Sequence, residues 1–167
     1  YNINNWFSNN SKNINKNKII KLKYGENSNQ KSTFIIKNLK NSLFKAKIQG
    51  KDLGYNNLLD LDSGLNCLKE FNEPTCVVIK HNNPCGVASS KKIENAYNKA
   101  ISSDPISIFG GIVFFNRSIN ETLAKKIIKN FYEIIVAPSY NKKAINILNK
   151  KKKLILIETK KINVDNK

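Results

Sequence analysis

The stretch Lys80-His81-Asn82-Asn83-Pro84-Cys85-Gly86 concentrates side chains that could do chemistry. Histidine is the one side chain whose unperturbed pKa lies near neutrality, so the chain's single histidine, His81, is its natural proton acceptor. The adjacent Lys80 could tune it or stabilise developing negative charge. The plain alternative is a turn with an incidental histidine. Further on, Asp104-Pro105-Ile106-Ser107-Ile108-Phe109-Gly110-Gly111 leads into an apolar run. Its double glycine permits close backbone approach to a ligand, and Ser107 with neighbouring N–H groups could hold an oxyanion; ordinary turn chemistry accounts for the same residues as well.

Metal chemistry has less support. Cys67, Cys76 and Cys85 are an odd, sparse set, and with one histidine they cannot build a typical closed zinc site without carboxylate help. No disulfide is expected. The zinc-deaminase pattern H-x-E with P-C-x-x-C touches the Lys80–Gly86 stretch but fails there: no glutamate lies two residues after His81, and Cys85 is followed by Gly-Val-Ala.

These residues need elements to position them. Leu58, Leu61, Leu65 and Leu68 recur at spacings of three and four behind Asn56 and Asn57, which predicts a helix of about four turns with an asparagine cap. Thr75 to Ile79 reads as a β-branched strand; Ile93, Ala96, Tyr97, Ala100 and Ile101 read as a helix capped by Ser89 or Ser90. Alternation continues with a strand at 112–115, a helix starting at Asn120, a strand at 134–136 closed by Pro138, a helix through Ala144, Ile145 and Leu148, and a strand at 154–157. Strands separated by helices imply an α/β layered domain with a largely parallel or mixed sheet. In such sheets ligands sit at the carboxyl ends of strands, so Lys80 and His81 are expected in the default site, in a turn ahead of a helix N-terminus. Residues 1–18 read as a short helix, with Ile3, Trp6 and Phe7 on one face, and a polar linker.

Composition bounds the function classes. The 167 residues suffice for one domain or two small subdomains, and no run of eighteen apolar residues or secretory signal occurs, so a cytoplasmic location without membrane insertion is expected. The net charge of +17 invites a nucleic-acid reading. Against it, only Arg117 among the 29 basic residues is arginine, the residue that reads phosphate and base edges in a planar fork, and the lysines are spread along a chain rich in Asn and Ile. The Lys150–Lys153 run sits between a helix and a strand, where a solvated turn accounts for it. Methionine is absent and residue 1 is tyrosine, which leads to the expectation that the chain is a piece of a longer product.

Five segments in order resemble AICAR transformylase, the folate-dependent formyltransferase domain of the bifunctional purine biosynthesis proteins. They are Lys23-Tyr24-Gly25-Glu26-Asn27-Ser28-Asn29-Gln30; Leu53-Gly54-Tyr55-Asn56-Asn57-Leu58-Leu59-Asp60-Leu61-Asp62; the Lys80–Gly86 stretch; Asp104 to Gly111 with Phe115-Asn116-Arg117; and Phe131-Tyr132-Glu133-Ile134-Ile135-Val136-Ala137-Pro138. They are spread in order over most of the stretch 19–157.

The resemblance implies transfer of a formyl group from 10-formyltetrahydrofolate to the 5-amino group of AICAR, giving FAICAR. It implies a cytidine-deaminase-like three-layer α/β subdomain with a mixed sheet and no zinc. By the same resemblance Lys80 and His81 are catalytic, with His81 the base for the amine proton and Lys80 its electrostatic or proton-relay partner. Lys23, Tyr24 and Gly25 stand where the family binds the nucleotide, Ser107, Phe109, Gly110 and Gly111 line the pocket, and Glu133 stands at an acidic ligand-contacting position. Lys23 replaces the usual arginine, turning a bidentate phosphate grip into a point-charge contact. Ser28 and Asn29 replace Pro-His, and Ile108 replaces a small residue. Residues 1–18 would be the end of a preceding IMP cyclohydrolase domain and its linker, 19–160 the first transformylase subdomain and 161–167 a tail. The second subdomain, with an asparagine near the formyl group and much of the folate pocket, would be missing. Relatives would be homodimers. A basic nucleic-acid-binding module and an inactive decayed fragment are the competing readings.

Overall fold

The computed structural model describes residues 18–27, 29–36 and 46–159; the helix expected within residues 1–18 and the tail at 161–167 lie outside them. Four strands form the middle of a six-stranded sheet: β4 (Thr75–Lys80), β6 (Ile112–Phe115), β7 (Ile134–Ala137) and β8 (Ile155–Glu158). Each reads as a continuous apolar run because both its faces are covered. Val77 and Ile79 face one core with Phe114, Ile134 and Val136, whereas Cys76 and Val78 face the other with Val113, Phe115 and Ile135.

The sheet order is β3-β8-β7-β6-β4-β5, with β3 (Lys47–Gln49) and β5 (Asn83–Ser89) at the edges. The pairs β6–β7 and β7–β8 are parallel; β3–β8, β4–β6 and β4–β5 are antiparallel, so the sheet is mixed. One helix, α1 (Tyr55–Lys69), covers one face through Leu61 and Leu68. On the other lie α2 (Ile93–Ser103), α3 (Glu121–Ile127) and α4 (Lys142–Leu148), whose Ala96, Tyr97, Leu123, Ile127 and Leu148 join the second core. A separate antiparallel ribbon, β1 (Lys18–Lys21) with β2 (Thr33–Ile36), precedes them.

The apolar periodicities translate into these elements, and three local expectations need correction. First, the sequence of β5 predicts part of a turn leading to a helix. It is a strand, so the Lys80–Gly86 stretch lies in a β-hairpin rather than ahead of a helix N-terminus. Second, α2 is preceded by Lys92 with no side-chain cap, not by Ser89 or Ser90. Those serines belong to the end of the hairpin, where the Ser89 and Thr75 hydroxyls share a hydrogen bond of 2.7 Å and the Ser90 N–H donates to Pro74 O at 3.0 Å. Third, α1 starts after Gly54, and Asn57 acts from the third helical position, its Oδ1 accepting the Gly54 N–H at 3.1 Å. Asn120 does cap its helix, accepting from the Leu123 N–H at 2.8 Å.

Phe115-Asn116-Arg117 acts as a staple. Asn116 Oδ1 accepts the Thr75 N–H at 2.8 Å, and its Nδ2 donates to Phe71 O and Glu73 O. Arg117 donates to Asn72 O at 2.7 Å and to Asn116 O at 3.0 Å. The chain's one arginine thus fastens the loop between α1 and β4.

Candidate active site

Where β4 turns into β5, only two residues, His81 and Asn82, bridge Lys80 and Asn83. A two-residue hairpin of this kind follows the right-handed twist of its strands when both central residues have positive φ. His81 has φ 52° and Asn82 φ 65°. Neither is glycine, and a left-handed conformation outside glycine costs roughly 1 kcal/mol or more per residue, though Asn and His tolerate it better than most.

Two side chains one turn apart on α1 hold this conformation. Asp60 Oδ1 accepts the Asn82 N–H at 2.6 Å, and the Ser63 hydroxyl donates to Asn82 O at 3.1 Å. Asn83 Nδ2 donates to His81 O at 2.9 Å. His81 is thereby displayed, exposed, at the carboxyl end of β4. Lys80 reaches sideways, its Nζ donating to Phe109 O at 2.9 Å and tying the hairpin to the loop before β6.

Tyr24, Lys80, His81, Phe109, Gly110 and Glu133 face one cleft of about 350 Å³, with Asn57 and Asp60 completing its wall. Glu133, just ahead of β7, accepts from Asn57 Nδ2 at 3.0 Å and pairs with Lys51 at 3.7 Å. Tyr24 comes from the loop between β1 and β2, which docks on the start of α1: Tyr55 N–H donates to Tyr24 O at 3.4 Å and Asn56 Nδ2 to Glu26 O at 3.2 Å. Phe109 and Phe131 form a tilted pair with centroids 5.0 Å apart at the rim. A larger cavity of about 510 Å³, lined by Lys51, Phe131, Tyr132, Glu133 and the 150–154 segment, adjoins the cleft through Glu133. Neither Lys80 nor His81 lines it.

Of the remaining sequence-derived candidates, Lys23, Gly25, Ser107 and Gly111 stand around this cleft rather than in its lining. Lys23 is exposed, with its Nζ 5.4 Å from the centroid of the Tyr24 ring. Gly25 is buried and donates its N–H to Gln30 O at 2.8 Å, closing the loop. Ser107 donates its N–H to Asp104 Oδ1 at 2.9 Å; its hydroxyl is also bound to that carboxyl, and together they hold Asp104 below its usual carboxylate range. Gly110 has φ 75° and donates to Phe131 O at 2.9 Å. At Gly111 a Cβ would lie 2.9 Å from Ile79 O, so the close approach its type permits is to β4 itself.

The sequence alone assigns Asp60 no role. Burial is the main influence on its carboxyl and pushes it above its ordinary 3.8, against the Asn82 N–H bond and the neighbouring His81, which act the other way. An aspartate on the polar side of an amphipathic helix looks like a solvated residue; only its distance to the hairpin shows otherwise. Asn57 was read as a cap and also aligns Glu133.

Among the described residues, no group of three or more His, Cys, Asp or Glu side chains is arranged to hold a metal ion. The cysteines are free thiols; Cys76 is fully buried, which drives its thiol well above the ordinary value. No helix among the described residues is long and apolar enough to cross a membrane.

Comparison with known proteins bears out the family resemblance. The family model described as AICARFT/IMPCHase bienzyme matches residues 1–167. The bifunctional purine biosynthesis protein PurH of Caldicellulosiruptor saccharolyticus is 50% identical over 143 residues, covering 83% of this chain and 28% of that protein. Its namesake from Fusobacterium nucleatum is 46% identical over 150 residues, covering 89% and 30%. That of Buchnera aphidicola from Schizaphis graminum is 46% identical over 151 residues, covering 87% and 29%. The chain therefore spans under a third of the length of these relatives. A solved structure titled Acinetobacter baumannii RibD, form 1, overlaps 59% of this chain and 31% of its own at TM-score 0.41 and 18% identity, too loose a likeness to carry an argument. With its sequence matched from end to end, the chain belongs to the AICARFT/IMPCHase bienzyme family.

Proposed function

We propose that this chain supplies the Lys-His side of a formyl-transfer site in purine biosynthesis: the formyl group of 10-formyltetrahydrofolate passes to the 5-amino group of AICAR, giving FAICAR on the route to IMP. The observation that carries this reading is the convergence of Lys80, His81, Tyr24, Phe109, Gly110 and Glu133 on one cleft at the end of β4. The PurH relatives support the pathway assignment.

An aromatic amine conjugated to a carboxamide is a poor nucleophile, so attack needs proton removal close to the transition state. His81, exposed at the apex of the hairpin, takes that proton as the new N–C bond forms; the bond from the formyl carbon to the folate nitrogen then breaks, and that nitrogen takes up a proton and leaves as tetrahydrofolate. Lys80 supplies fixed positive charge beside developing negative charge on the formyl oxygen, its ammonium held in place by one hydrogen bond to the Phe109 carbonyl. Tyr24, Phe109 and Gly110 contact the nucleotide, with Lys23 beyond the Tyr24 ring as a point-charge partner for its phosphate. Gly25, Ser107 and Gly111 support these loops, and Glu133, oriented by Asn57, accepts hydrogen bonds from ligand donors.

In this reading the two-faced α/β/α arrangement is a cytidine-deaminase-like subdomain without zinc, occupying residues 19–160. Residues 1–18 end a cyclohydrolase domain and residues 161–167 form a tail. A second subdomain completes the folate pocket, and the whole enzyme works as a cytoplasmic homodimer. The test replaces the matching stretch of Caldicellulosiruptor saccharolyticus PurH with this chain and measures FAICAR formation from AICAR and 10-formyltetrahydrofolate. Turnover is expected. A folded chimera that binds AICAR without transferring formyl contradicts the reading.

A further inference from the structure

The two peptide groups of Asn82 that the hairpin ladder does not use are both taken by α1. Asp60 Oδ1 receives the N–H at 2.6 Å and Ser63 Oγ gives a hydrogen bond to the carbonyl at 3.1 Å. They are three positions apart on the helix, hence neighbours on its surface. The residues they hold have φ values of 52° and 65°, in a region that costs free energy for residues bearing a side chain even where Asn and His tolerate it best. We infer that Asp60 and Ser63 are positioning residues: they clamp the His81-Asn82 turn and so set where the imidazole stands in the cleft. The inference rests on the proposed role of His81.

Several features separate a clamp from incidental packing. Asp60 lines the same cleft as His81, and both also border a second depression of about 270 Å³ that Asn82 lines too. The turn thus borders open space, and the bonds from α1 to Asn82 tie it to the body of the domain. Helix α1 is well anchored beneath, with Leu61 and Leu68 buried on the sheet, and therefore makes a rigid jaw. The same helix carries Asn57, which aligns Glu133 across the cleft. One element thus sets two walls of the site.

Misplacing a reacting group by about 1 Å can reduce a rate about a hundredfold. In the chimera described above, Asp60→Ala is expected to lower kcat roughly 10- to 100-fold with little change in the KM for AICAR. Asp60→Asn, whose amide oxygen still accepts the Asn82 N–H, is expected to keep most of the activity. Adding Asn82→Gly to Asp60→Ala, which gives the turn a residue at ease with positive φ, is expected to recover much of the loss. In this chain alone, hydrogen exchange at the Asn82 amide is expected to accelerate in Asp60→Ala and not in Asp60→Asn. Circular dichroism of each variant establishes that the fold is retained, and a misfolded Asp60→Ala leaves Asp60→Asn and Ser63→Ala to decide. Unchanged kcat in folded Asp60→Ala, a loss equally deep in Asp60→Asn, or an unaltered Asn82 amide overturns the clamp. His81→Ala separates the two levels: full turnover there refutes the catalytic reading, whereas a dead His81→Ala beside a fully active Asp60→Ala refutes only the clamp.

Discussion

Asp60 exposes a tension within the site. The bond it makes to the Asn82 N–H requires only an acceptor, but the carboxyl is partly withdrawn from water, and burial dominates its proton affinity. Because the folded state holds this proton more tightly than the unfolded chain, the neutral form is favoured by folding. As pH rises from 3.8 through the raised folded value that contribution is lost, and towards neutrality the folded protein carries a desolvated carboxylate. Asp60→Asn keeps the acceptor without the charge. Its melting temperature relative to the parent is expected to rise from pH 4 towards neutrality, as followed by thermal melts across that range. A difference that does not change with pH, or that runs the other way, contradicts this account of the carboxyl.

At the scale of elements, close approach governs how α1 sits. A Cβ at Gly64 would lie 2.2 Å from the ring of Phe114, a fully buried residue of β6. Two effects compete in Gly64→Ala: helix propensity favours alanine by about 1 kcal/mol, and overpacking a rigid core costs about 1–3 kcal/mol. The contact is to a ring held in the sheet rather than to a flexible tip, so the clash wins and the substitution is expected to lower the melting temperature. Phe114→Leu added to Gly64→Ala is expected to recover part of that loss; a Gly64→Ala protein more stable than its parent contradicts the packing argument.

The elements that the sequence revealed best are those buried on two faces or one clean stripe. Thr75–Lys80, Ile112–Phe115 and Ile134–Ala137 show as unbroken apolar runs, and the Leu58, Leu61, Leu65, Leu68 spacing shows α1. β5 was hidden because Asn83, Pro84 and Gly86 are turn-formers by type, and an edge strand tolerates them where a central strand would not. The Lys-His pair stood out by residue type alone. Asp60 and Asn57 did not, since their roles depend on which strand end the helix lies against.

For the molecule as a whole, charge and site must be kept apart. Its +17 is carried almost entirely by lysine, and Arg117 is engaged with backbone carbonyls at the α1–β4 loop. Any binding to nucleic acid is therefore expected to be independent of base sequence and to weaken steeply with salt. Gel-shift titrations at two salt concentrations check this, and a base preference that persists at physiological salt contradicts it. Function is instead expected from the cleft at the carboxyl ends of the strands, where α1, the β4–β5 hairpin, the loop before β6 and the start of β7 meet. The most direct test of that account is a single-turnover measurement of formyl transfer in the PurH chimera with and without His81→Ala, beside the affinity of each for AICAR. A loss of transfer of at least about a hundredfold at unchanged AICAR affinity is the expected result, in keeping with a general base. Transfer at the parent rate by the variant would contradict the central claim.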